Sequence, residues 1–110
     1  VEKFLMARFD VYVNPSSQAL TTPYLLDVQC DLLDGLGSRM VIPLRSLEHF
    51  PKVKLSPRLS PLFLIDGEEF LLDTTKMAAV PTRILKKRVV SLADHQVQII
   101  EALDFLFHGY

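Results

Sequence analysis

The spacing of apolar and polar positions changes along the chain, and the change divides it into a strand-rich body and a helical tail. Residues 9–13, Phe-Asp-Val-Tyr-Val, alternate with the two-residue period of a half-buried strand. Asn14-Pro15-Ser16-Ser17 then supplies turn formers that end it. A loop runs to about Thr22, and residues 23–29 are rich enough in strand formers to predict a second strand. The acidic, apolar-dotted stretch Cys30-Asp31-Leu32-Leu33-Asp34 follows, and Gly35-Leu36-Gly37 turns the chain. Residues 39–44 return as a strand whose Pro43 marks an end, an edge or a bulge, because proline has no N–H for a ladder. The two segments read as an antiparallel hairpin. Residues 62–65 and 68–72 around Asp66-Gly67 give the clearest hairpin signal, since Asp-Gly tolerates the positive φ of a tight turn. Residues 77–81 predict a further short strand ended by proline, and residues 82–85 a brief pairing. Lys86-Lys87-Arg88 reads as a solvated linker into the tail.

From Ser91 the period lengthens. Ser91 and Asp94 stand close to a capping box, a hydroxyl for an orphan N–H and a carboxylate at the positive end of the helix dipole. Val97, Ile100, Leu103 and Phe107 recur at three- and four-residue steps, with Ile99 and Leu106 widening the stripe, so this face is expected to be buried. Gly109 is suited to stop the helix in the left-handed region. His108 and Tyr110 then form a short ring-bearing tip.

Between residues 44 and 61 the pattern lapses into a long loop carrying Arg45, Lys52, Lys54 and Arg58, expected to be mostly extended. Residues 1–5 precede Met6, a natural start, and read as a leader or remnant outside a single domain over 6–110. With 110 residues and 49% apolar composition, one real core is expected, with a dimer interface as a useful addition. No apolar run is long enough to cross a bilayer, and the chain reads as cytosolic. A net charge of −1 argues against holding nucleic acid mainly by its phosphates. The single cysteine, Cys30, has no metal-ligand neighbour in the sequence. His49, His95 and His108 stand in unrelated contexts, and no serine occupies a nucleophile elbow, so no catalytic set emerges and no cofactor is called for. Asp27, Asp31 and Asp34 lack the glycine and bidentate glutamate of a calcium loop and read as a solvated turn.

Many short strands and one helix predict a mainly β fold, a small antiparallel barrel or bent sheet closed by the helix. Four stretches then carry a resemblance: residues 24–34, residues 39–44, Thr74-Thr75-Lys76-Met77-Ala78-Ala79-Val80-Pro81, and residues 100–110. In order and spacing they resemble the CcdB family of toxins, from Met6 to the last residue. The resemblance implies an SH3-like barrel with a C-terminal helix, a homodimer, and a cytosolic toxin–antitoxin module. It also implies a binding protein and not an enzyme, one that engages the A subunit of DNA gyrase and traps it on cleaved DNA, and that a CcdA-like antitoxin neutralises. Carried over by position, the gyrase contact falls on Asp104, Phe107, His108, Gly109 and Tyr110. The turn after the second strand adds Leu32 and Leu33, and Cys30 more weakly. The best-known member of that family has tryptophan at the place of His108 and isoleucine at that of Tyr110, so here the stacking group is smaller and the last residue larger.

Family antitoxins carry acidic, disordered tails, and Arg39, Arg45, Lys52, Lys54 and Arg58 offer the complementary charge. Two other readings share the fold class: an endoribonuclease of the MazF and Kid kind, and a toxin reduced to antitoxin partner and co-repressor.

Overall fold

The computed structural model describes residues 7–49 and 56–109. Within them seven strands form one curled antiparallel sheet: β1 (Asp10–Val13), β2 (Tyr24–Asp27), β3 (Ser38–Ser46), β4 (Leu62–Ile65), β5 (Glu68–Leu72), β6 (Ala78–Pro81) and β7 (Arg88–Ser91). A single α-helix, α1 (Gln96–His108), follows them. The strands run in the order β4-β5-β3-β2-β1-β7, and β6 also pairs with β3. The expected mainly β fold with a C-terminal helix is therefore what forms.

β3 organises the sheet because it is long enough to take three partners. Residues 41–44 pair with β2 on one side, while on the other side residues 38–41 pair with β6 and residues 44–46 with β5. Pro43 sits at that change of partner. Val28 N–H donates to the Met40 carbonyl at 3.0 Å, so alternation makes Leu25 and Pro43 a non-hydrogen-bonded rung. The N–H that proline lacks would thus face the gap between β6 and β5. Its carbonyl, facing the same way, accepts from Asp73 N–H at 2.9 Å. At the β4–β5 turn, Asp66 (φ 51°) and Gly67 (φ 80°) take the conformations that the Asp-Gly pair predicts.

The sheet buries both faces. On one, Val11, Leu26, Ile42, Leu44, Phe63 and Leu72 pack with Leu92 and with Ile99 of the helix. The neighbouring residues Tyr12, Leu25 and Val41 point the opposite way and form a second, smaller cluster with Leu85, flanked by Val80 and Ile84. This second face also holds charge. Arg39 and Asp27, both fully buried, lie 2.7 Å apart, and Arg88 meets buried Asp10 at 3.1 Å. Burial, with Asp10 and Asp27 nearby, pushes the Tyr12 hydroxyl up to about 12. Burial also raises the Asp27 carboxyl, although Arg39 and the Gln29 N–H pull it down.

Several expectations change. β1 is buried on both faces, not half-buried, because the second cluster covers its outer side. Arg88 belongs to a strand, since residues 88–91 pair with β1 around a bulge at Val11/Tyr12. Residues 82–84 form a 3-10 turn and no strand pairing. Ser91 ends β7 and does not cap α1. Its Oγ accepts from Ala93 N–H at 3.1 Å, and a 3-10 turn over Ala93–His95 intervenes before the helix. The buried side of α1 is set by Ile99 and Ala102, whereas Val97 and Phe107 are 66% and 62% exposed. Asp27 is no solvated-turn carboxylate, because it is sealed in with Arg39. Arg45 lies within β3, so the irregular loop begins after Ser46.

Candidate functional site

After β2 the chain rises into a 3-10 turn over Asp31–Leu36, closed by Gly37 at φ 75°. Gln29 fixes this turn from below. Its Nε2 donates to the Leu33 carbonyl at 3.1 Å, and its Oε1 accepts from Met40 N–H at 3.1 Å. Asp31 ties the other side, accepting from Arg8 N–H at 2.7 Å. With the backbone held, the turn presents apolar side chains outward: Leu32 is 92% exposed, and Leu33 and Leu36 are exposed as well. Such a display has no value to the core. Large apolar groups presented together on a fixed backbone mark interaction surfaces.

The last turns of α1 stand beside it. Between them lies a groove of about 430 Å³, whose walls include Leu33 and Cys30 on the turn side and Leu103, Asp104 and Phe107 on the helix side. Met40 and Met77 line it from β3 and from the residue preceding β6, and Arg8 lines it as well. Arg8 is itself oriented, with Nε donating to the Val28 carbonyl at 3.0 Å and its guanidinium 4.7 Å from the Phe9 ring centroid. The helix then stops sharply, as Gly109 takes φ 78° and its N–H donates to the Phe105 carbonyl at 2.9 Å.

The fold thus brings Leu33, Cys30, Asp104 and Phe107 to one groove although some seventy residues separate the turn from the helix end. Leu32 stands outside the groove lining on the same turn, and His108 and Gly109 continue the helix end, His108 being exposed. Tyr110 lies outside the described residues. Residues 8–109 match the CcdB protein family.

The chain belongs to the CcdB family. Family membership makes it a toxin of the toxin–antitoxin kind. Of the residues that the resemblance nominates in this CcdB-family chain, Leu33, Asp104 and Phe107 line the groove, whereas Leu32, His108 and Gly109 are outside its lining. Sequence reading missed Arg8, Met40 and Met77 as groove residues. Methionines at the edge of a core are a weak signal, because a flexible thioether fills core gaps and binding surfaces equally well.

The cationic set fares differently. Arg39 is 0% exposed and spent on Asp27, so it offers no surface charge and leaves the set. Arg45 Nε lies 2.8 Å from Asp73 Oδ2. Arg58 stacks its guanidinium 4.9 Å from the Phe105 ring centroid, on the helix side of the molecule. Lys52 and Lys54 lie outside the described residues. No group of three or more histidine, cysteine, aspartate or glutamate side chains suited to a metal occurs among the described residues.

Proposed function

We propose that this toxin acts by binding the A subunit of DNA gyrase through the groove between the Asp31–Leu36 turn and the end of α1, holding the enzyme on cleaved DNA. The supporting observation is the convergence of Leu33, Asp104 and Phe107 on one apolar groove, with Leu32 projecting beside it. An apolar and aromatic surface on a rigid helix end gives contact area at small entropic cost, which is how hot-spot residues act. Binding, not turnover, is the activity, and it needs no cofactor. The protein works as a homodimer in the bacterial cytoplasm, where a CcdA-like antitoxin neutralises it.

The test is supercoiling and DNA cleavage by purified gyrase with the wild-type protein, Phe107→Ala and Leu33→Asp, with Leu64→Ala on the remote β4 edge as control. Wild type and control are expected to yield linear DNA after detergent and protease treatment. Truncating one central aromatic contact is expected to cost about 2 kcal/mol, a shift of about thirtyfold in the concentration required. Equal potency of all four proteins, or no cleavage by any of them with gyrase from the native host, would remove gyrase as the target.

A further inference from the structure

β4 ends the sheet on its side, and among the described residues it pairs with β5 alone. Its side chains split in two. Phe63 and Ile65 are buried in the main core, whereas Leu62 and Leu64 are 46% and 67% exposed. The main chain splits the same way. Leu72 N–H donates to the Pro61 carbonyl at 3.0 Å, so alternation along the ladder makes Leu62–Leu71 and Leu64–Glu69 non-hydrogen-bonded rungs. The N–H and carbonyl of Leu62 and Leu64 therefore point away from β5, toward the open edge. Exposed edges are commonly blunted by a charge, a proline or a bulge within the strand, and Leu62-Phe63-Leu64-Ile65 has none of them.

Beside this edge lies a hollow of about 640 Å³, walled by Leu64 and Leu47 and by Glu48, Glu68 and Glu69. Glu69 stands directly opposite Leu64 on β5 and shares its face. No cation lines the hollow, and the three exposed carboxylates make no ion pair among the described residues.

Three features choose the occupant. Outward N–H and carbonyl groups on alternate residues call for another extended main chain, which can pair with them as an added strand. Carboxylates without counter-charge call for cationic side chains. The exposed leucines require that those cations come on aliphatic stems, as in lysine and arginine, whose methylenes cover apolar surface while the head group reaches past it. A second copy docked edge to edge would bring the same carboxylates and no counter-charge, and a phosphate backbone would be repelled by them.

We propose that the β4 edge binds an extended basic segment of another protein, added as an antiparallel strand like the rest of the sheet. In that geometry the residues that hydrogen-bond to Leu62 and Leu64 share their face. These are the lysines or arginines, with stems on Leu62 and Leu64 and head groups at Glu69, Glu68 and Glu48. The residues between them are aliphatic and continue the row of Phe63 and Ile65. The site is separate from the gyrase contact, and neither assignment depends on the other.

The experiment uses the full chain and a fluorescein-labelled peptide alternating lysine and valine, read by anisotropy at two salt concentrations. The competitors are two forms of the same peptide, N-methylated on every lysine or on every valine. The variants are Glu68→Lys/Glu69→Lys and, on the exposed side of α1, Glu101→Lys, each checked for an unchanged melting temperature. Wild type and Glu101→Lys are expected to bind the probe, and the double charge reversal to weaken it by about tenfold or more, with binding falling as salt rises. The valine-methylated peptide is expected to compete as well as the unmodified one and the lysine-methylated peptide to fail, because only the lysine N–H groups face Leu62 and Leu64.

Equal binding by the double variant and wild type would overturn the assignment. Equal competition by the two methylated peptides would also overturn it, since the probe would then be held by charge without strand pairing. That comparison is made on the wild-type protein, so it decides the question even where the charge reversal unfolds the chain. A probe that binds only by splitting a dimer into monomers, followed by sedimentation, would show that a second copy occupies the edge and would end the proposal.

Discussion

Arg39 shows how far the environment of a single residue governs its meaning. In sequence it neighbours a turn and counts as surface charge; in the fold its Nε donates to Asp27 Oδ2 at 2.8 Å, with nothing of either side chain exposed. The raised Asp27 carboxyl says that desolvation outweighs the attraction of its partner. Such a pair contributes little net stability, yet breaking it leaves one charge buried and uncompensated. Arg39→Met is therefore expected to cost about 3–5 kcal/mol in urea unfolding, and Asp27→Leu/Arg39→Met to return to within about 1 kcal/mol of wild type. A double variant as unstable as the single one would mean that the pair supplies net stability. Gln29 illustrates the same point for an uncharged group: its amide bridges Leu33 and Met40 and decides where the exposed leucines stand.

At the scale of the element, the helix is the instructive case. Its existence and its end at Gly109 were legible, because periodicity and a left-handed stop are local properties. Its rotation was legible only in part. Ile99, Ile100 and Leu103 of the expected stripe do pack on the core, but Ala102 joins them, and Val97 and Phe107 at the ends of the stripe are left exposed. Phe107 lines the groove together with the part-buried Ile100 and Leu103, and Val97 does not. Ile99→Ala is expected to lose about 2–5 kcal/mol, as large-to-small core changes do, and Val97→Lys to stay within about 0.5 kcal/mol of wild type. Chemical denaturation of both variants checks the phase, and a reversed order would place Val97 inside. β7 was missed for a related reason. Residues 88–91 are too few to show a period before the helical pattern begins, and only β1 alongside makes them a strand.

Across the whole molecule, one sheet separates two surfaces of different chemistry. The helix side carries the apolar groove of Leu33, Leu103 and Phe107, and the opposite side the cation-rimmed hollows of Lys76, Arg83 and Lys86. Changes confined to one side should leave the other unaffected. Arg83→Glu/Lys86→Glu is expected to change the affinity of the toxin for a gyrase A fragment by less than about twofold, far below the 1–3 kcal/mol usual for allosteric pairs. Calorimetric titration of the fragment with both proteins checks this. A larger change would show that the two surfaces communicate through the sheet.

By itself the sequence determined the strand-rich body, the Asp-Gly hairpin, the helix and its glycine stop. Each follows from side chains within a few residues of one another: alternation, turn chemistry and capping propensity are local. It also carried the motifs of the family. The tertiary structure alone decided which apolar residues are core and which are surface, that Arg39 and Asp27 cancel inside the sheet, and that Arg45 lines a hollow with Lys76 while Arg58 stacks on Phe105 of the helix. Those outcomes depend on partners distant in the chain, on the opposite faces of successive strand residues, and on the cost of leaving a charge without water or a counter-charge.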